Sequence, residues 1–316
     1  MNKYTRLPPR KGKRRREYRW LRSDGTPNLS DRIHRVPGDM EIIARKPAIQ
    51  VSPSVPIANA LKLMSENYRS LLVSVAGVLK GLLLATDLID YLGGGDHFKI
   101  VEGRHRYNLF SALDRESVKS IMIHDPIVAY TDEKLPSVLE KMAVYGIGLL
   151  PVVYRDGRVY GVITEHDVLK HLYGVVELGV KISKVMSSPV VTIGSNSSVW
   201  DAMKKIIAYG FRRLPVVEEN TVIGIVTAMD LIRFFSPSSV FKRATSSDIR
   251  EVLKTSITEV ASKNLVTVKP EDDLSEAVKK MFSKNVSSVL VVNDDMELVG
   301  IATERDVLYA LTVKRA

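Results

Sequence analysis

The 316-residue chain is 45% apolar and 26% charged and contains no cysteine. That is an ordinary globular composition which excludes disulfides, thiolate-held metals, iron–sulfur clusters and cysteine nucleophiles. Net charge is +10, but residues 1–22 hold ten basic residues against the single acid Glu17, so the remainder is almost neutral.

The first segment, 1–39, reads as a basic extension with no apolar leader, which predicts a cytoplasmic protein. Its run PPRKGKRRREYRWLR sets Arg14, Arg15, Arg16 and Arg19 beside Trp20. Cations interleaved with aromatics fit the phosphates and bases of RNA or DNA. A solubilising arm, or one docked on an acidic partner or on the protein itself, accounts for the same composition.

Residues 40–92 form a first unit. ALKLMSENY has apolar residues at helical spacing, SLLVSV and GLLLAT read as strands around an Ala-Gly turn, and DLIDYL returns to helical period. The apolar stretch Leu71–Ala85 falls short of the roughly 18 residues of a membrane span and carries Ser74, Gly77, Lys80 and Gly81. Gly93 is expected as a helix C-cap and not as part of a phosphate cradle in GGGDH. A linker, 93–117, follows.

The same order returns in 118–173, in 180–235 and, after a linker at 236–256, in 257–312. The helices VLEKMAVYG, AMKKIIAYG and AVKKMFSKN precede LLPVVY, RLPVVE and SVLVVN, and these precede GVITEHDVLKHL, GIVTAMDLIRFF and GIATERDVLYAL. Each unit reads strand, helix, strand, strand, helix, an α/β repeat with one parallel strand pair. A unit of about 55 residues is marginal alone. The linker lengths pair unit 1 with 2 and unit 3 with 4. Repeat 1 departs most, with Leu84 for the threonine and Val73 set against Pro151 and Pro215.

In TEHD, TAMD and TERD a threonine precedes an aspartate by three residues at a helix start, which is a capping box. The same groups suit a nucleotide, with free amides for phosphate and a carboxylate for ribose hydroxyls. Arg212 and Arg213 before the LPVV strand are either phosphate donors or a solvated strand entry. No catalytic motif is recognisable, no Ser, His and acid constellation presents itself, and the histidines lack metal-ligand spacing.

From about Met40 to Leu311 the pattern resembles four CBS domains, through M-x-x-x-P (MSSPVVTI, MIHDPIVAY), the LPVV strand and G-h-h-T-x-x-D-h-h. CBS domains pair into Bateman modules, and four in one chain resemble the regulatory gamma subunits of AMP-activated protein kinase. The resemblance implies two modules in a pseudo-fourfold disc that binds AMP, ADP or ATP without a metal and regulates an effector protein. It assigns ribose to Asp87, Asp167, Asp230 and Asp306, and hydroxyl contacts to Thr164, Thr227 and Thr303, with Thr86 displaced in repeat 1. It assigns phosphate to Arg212, Arg213, Arg305 and His166, and adenine to the surroundings of Ile127, Val190 and Leu265. A non-enzymatic, membrane-free role is expected, with a homodimer left open. The alternative is a nucleic-acid-binding protein that uses the basic tail, with the repeats as scaffold.

Overall fold

Apolar residues at strand and helix spacing place every element of the four units. A computed structural model describes residues 27–31, 33, 40–66, 69–173, 179–219, 221–244 and 246–312. The basic-tail candidates Arg14, Arg15, Arg16, Arg19 and Trp20 lie outside them. After a short helix α1 (Met40–Ile43), unit 1 comprises β1 (Gln50–Val51), α2 (Ile57–Ser65), β2 (Ser70–Val75), β3 (Val78–Leu84) and α3 (Ala85–Ile89). The first linker forms α4 (Phe98–His105) and α5 (Leu109–Asp114). Unit 2 comprises β4 (Ile123–His124), β5 (Ala129–Tyr130), α6 (Leu135–Tyr145), β6 (Leu149–Val153), β7 (Val159–Thr164) and α7 (Glu165–Leu172). Unit 3 runs through β8 (Ile193–Gly194), α8 (Val199–Tyr209), β9 (Arg213–Glu218), β10 (Thr221–Thr227) and α9 (Ala228–Phe235). The second linker holds α10 (Pro237–Arg243) and α11 (Ile249–Leu253). Unit 4 closes with β11 (Thr267–Val268), α12 (Leu274–Ser283), β12 (Ser288–Val292), β13 (Leu298–Thr303) and α13 (Glu304–Thr312).

In each sheet the opening strand pairs parallel with the second, and the second pairs antiparallel with the third. The opening strands are only two residues long because the chain leading into them belongs to the neighbouring unit. Arg45 pairs with Val162 on β7, while β4 pairs with β3, so units 1 and 2 exchange leading segments. Units 3 and 4 do likewise, through Ser187 with Ile301 and Ser262 with Ile225. This exchange explains the motif glycines. A Cβ on Gly161 would lie 2.5 Å from the Arg45 carbonyl oxygen, and one on Gly81 would lie 2.8 Å from that of Ile123. Only a residue without a side chain lets the partner backbone cross so closely.

Helices join the units the other way. One core unites Leu61, Met64, Leu88 and Tyr91 of unit 1 with Met203, Ile206, Leu231 and Phe235 of unit 3. The other unites Leu139, Met142, Leu169 and Leu172 of unit 2 with Val278, Met281, Leu308 and Leu311 of unit 4. Burying each such side chain contributes about 1.5–3 kcal/mol, and no unit completes a core alone. Strands thus bind 1 to 2 and 3 to 4, and helices bind 1 to 3 and 2 to 4.

Two expectations need correction. Gly93 does not simply cap α3: the helix widens into a turn at Asp90–Gly94, with Gly93 at φ 146°. The Gly93 carbonyl accepts a 2.8 Å bond from Trp200 Nε1, and a Cβ on Gly94 would meet Ile207 at 2.8 Å, so the glycines admit α8. The strand register also puts Leu72, not Val73, at the place of Pro151 and Pro215, since Leu72 faces Leu82 as Pro151 faces Val162. By that register Arg69 occupies the place of Arg212, one residue before the strand position shared by Ser70 and Arg213.

Candidate functional site

Each repeated phrase places its aspartate at the third position of a helix. Asp167 Oδ2 accepts from the Thr164 amide at 2.9 Å and the Thr164 hydroxyl at 2.5 Å. Asp230 does the same with Thr227, at 2.9 and 2.7 Å, and Asp306 with Thr303, at 2.9 and 2.6 Å. In repeat 1 Asp87 Oδ2 accepts from the Leu84 amide at 2.8 Å, and leucine offers no hydroxyl to match the threonines. The capping reading is therefore physically satisfied, and each cap uses one carboxylate oxygen. The second oxygen differs among repeats. On Asp167 it pairs with Arg45 Nε at 3.0 Å and on Asp230 with Arg233 Nη1 at 3.2 Å.

The four helix starts approach one open cavity of about 3190 Å³. Nucleotide-sized ligands fill roughly 300–1,000 Å³, so it has room for more than one. Asp87, Asp230, Asp306, Thr86, Thr164, Thr227 and Thr303 line it, as do Ile127, Val190 and Leu265. Asp167 does not; it is 8% exposed and lies under Arg45.

Phosphate candidates converge where the units meet. Glu165 is 2% exposed and holds two arginines from other units. Its Oε2 accepts from Arg212 Nη2 at 3.0 Å, and its Oε1 accepts from Arg305 Nε. Glu304, also buried, pairs with His166 Nδ1 at 2.6 Å. The residue after each threonine in repeats 2 and 4 thus grips the residue before the aspartate of the other: Glu165 holds Arg305, and Glu304 holds His166. Repeats 1 and 3 have Ala85 and Ala228 at that place. Arg213 donates to the neutral Ser287 hydroxyl at 2.7 Å.

Cations outnumber anions at this centre: Arg45, Arg69, Arg212, Arg213 and Arg305 meet Asp167, Glu165, Glu304 and Asp306. Burial opposes ionisation of Glu165, but Arg305 and Arg212 hold its carboxyl below the usual range. Burial likewise opposes charge on Arg305, yet Glu165 raises its proton affinity above the ordinary guanidinium value. Arg213 has no such partner: burial first, then Arg212, push it down to about 9. Arg69 is exposed to the wide cavity, but the crowding walls and then Arg212 and Arg45 lower it too. Among the described residues neither Arg69 nor Arg213 bonds to a carboxylate. An anion here would relieve both.

Arg69, Glu165 and Glu304 are absent from the sequence-based candidates. Arg69 was signalled by its place before the strand, NYRSLLV against GFRRLPVV. The glutamates were signalled by falling only in alternate repeats. A Ser–His–acid arrangement also occurs, contrary to expectation, in the first linker. His105 bonds Ser111 Oγ at 2.9 Å and Glu116 Oε2 at 3.1 Å. The nearby amides of Ser111 and Ala112 donate to Asn108, leaving them unable to polarise a substrate carbonyl, and the group braces the linker. No cluster of three or more metal-capable side chains occurs among the described residues. None of their helices is long and apolar enough to cross a membrane.

A family model for the CBS domain matches residues 39–94, 118–174, 182–237 and 257–313. Protein MJ1225 of Methanocaldococcus jannaschii is 28% identical, over 85% of this chain and 97% of its own. Its crystal structure, described as that of a candidate archaeal homolog of g-AMPK, superposes with a TM-score of 0.81 over 86% of this chain and 98% of that one. An uncharacterized protein in the ribosomal RNA operon of Thermofilum pendens is 35% identical over 85% of this chain and 90% of its own. A conserved protein from Pyrococcus horikoshii, at 18% identity and a TM-score of 0.55, shares the fold, covering 86% of this chain and 98% of its own.

Proposed function

The chain belongs to the CBS-domain family, and from that premise we propose that it is a non-enzymatic regulatory protein that binds adenine nucleotides and passes their binding to a partner protein. The supporting observation is the pair Arg69 and Arg213, two cations from units 1 and 3 without a carboxylate partner among the described residues. They stand in the cavity wall close to Thr/Asp helix starts. Such a centre suits phosphate, while Asp87, Asp230 and Asp306, the motif aspartates that line the cavity, offer carboxylates suited to vicinal ribose hydroxyls. The likeness to a candidate homolog of an AMP-activated kinase subunit supports AMP, ADP or ATP as the ligands. Because each unit shares its sheet edge with one neighbour and its core with another, a ligand that moves one unit bears on two others. Differential affinity for the arrangements before and after would make this a switch.

Calorimetric titration of AMP, ADP and ATP into the wild type and Asp230→Asn tests the reading. Asparagine retains an acceptor for the Thr227 amide, so the helix cap survives while the carboxylate is lost. Binding to the wild type that weakens in the variant is expected. No binding to either protein overturns the proposal.

A further inference from the structure

We propose that Glu165 occupies a phosphate position and thereby sets how many phosphates a ligand can present to this cavity. The inference rests on the nucleotide-binding reading but concerns the regulation of that site. Glu165 is an anion buried between two guanidiniums, Arg212 from unit 3 and Arg305 from unit 4, both of which the family resemblance assigns to phosphate. Its seat is built for it. Gly148 stands against the carboxylate, where a Cβ would lie 2.5 Å from Oε2 and 3.2 Å from Arg212 Nη2. The side chain is 3% exposed, so it does not wander in solvent.

The consequence is a division of the arginines. Arg69 and Arg213 carry two positive charges with no carboxylate bonded to them among the described residues, a match for one phosphate dianion. Arg212 and Arg305 are already satisfied. A nucleoside monophosphate can neutralise the first pair without disturbing Glu165. A triphosphate brings more negative charge than that pair can balance, and its terminal groups must take Arg212 or Arg305 from Glu165. Displacing Glu165 would leave a carboxylate buried without its cations, which is unfavourable. The resting site therefore favours the shorter phosphate chain, and Glu165 is its specificity-determining residue. Repeats 1 and 3, with Ala85 and Ala228 in the corresponding place, have no such internal anion, which fits the availability of Arg69 and Arg213 on their side.

The experiment compares wild type, Glu165→Gln and the charge-balanced double variant Glu165→Gln/Arg305→Gln by calorimetry. The probes are AMP, ATP, orthophosphate and tripolyphosphate. Glutamine keeps the shape and an acceptor but not the charge. The expected result is a rise in ATP affinity relative to AMP of about tenfold or more in Glu165→Gln, with tripolyphosphate gaining on orthophosphate in parallel. The double variant, which frees Arg212 without adding net charge, must shift both ratios in the same direction. It decides the matter if the single variant does not fold. Unchanged ratios in a folded variant overturn the inference while leaving nucleotide binding intact. If the wild type binds no nucleotide, the nucleotide reading fails, and the inorganic pair alone decides whether Glu165 screens the cationic centre.

Discussion

Arg213→Met should make the empty protein more stable and the nucleotide-loaded protein less so. Burial and the neighbouring Arg212 depress the guanidinium from its ordinary value to about 9. Without solvent screening that depression corresponds to about 5 kcal/mol of unfavourable interaction. The cavity beside it is wide and open to water, and arginine retains its charge at neutral pH, so screening reduces the effective penalty to about 2–3 kcal/mol. Against this stands the 2.7 Å bond to Ser287, worth about 1 kcal/mol net, and Ser287 is accessible enough to bond to water instead. Methionine fills the aliphatic path of the side chain without the charge. The net gain is about 1–2 kcal/mol, which for a chain of this size raises the melting midpoint by about 1.5–3 °C. Scanning calorimetry in phosphate-free buffer reads this directly, and repetition with saturating AMP should reverse the order, because the wild type gains ligand stabilisation that the variant lacks. A variant that melts below the wild type without ligand, or that keeps the full AMP-induced shift, refutes the account of Arg213 as an uncompensated phosphate donor.

Gly161→Ala should destabilise by about 2–4 kcal/mol, since its Cβ would meet the Arg45 carbonyl at 2.5 Å and backbone cannot give way cheaply; urea unfolding measures it. Trp200→Phe removes the indole donor to Gly93 and should cost about 1 kcal/mol or somewhat more in the same assay. Glu165 has a folded pKa below its unfolded value, so its contribution is present above the ordinary carboxylate range and is lost as pH falls through the depressed value. Midpoints recorded between about pH 6 and pH 3 should therefore fall less steeply in Glu165→Gln than in the wild type, and identical slopes would contradict the pairing with Arg212 and Arg305.

The four-fold recurrence made the elements legible, because strand and helix periods repeat with the same turn residues between them. The aspartates and threonines were legible as pairs, although their capping role and a ligand role predict the same spacing. What the sequence hid was relational. Arg69 matters because a neighbouring unit brings Arg212 and Arg213 near it, and an arginine after an ordinary helix end carries no local mark of that. Glu165 and Glu304 read as acids in the first turn of a helix, which the helix dipole alone explains. Arg305 and His166, the partners they take from each other's repeat, lie about 140 residues away along the chain. The same distance concealed the crossed helix packing of units 1 with 3 and 2 with 4.

The exchanged leading segments bear on how this chain can be cut. A fragment holding one repeat would keep a motif glycine whose crossing strand had been removed, and would carry a leader with nowhere to lie. Residues 40–173 contain both leaders and both strands of one exchange, so the smallest separable piece is the pair. Even that piece would expose two apolar helical faces, one from α2 and α3 and one from α6 and α7, each shaped to meet a related face. Two copies of it would satisfy one another, so a half-chain should be recovered as a dimer that imitates the whole.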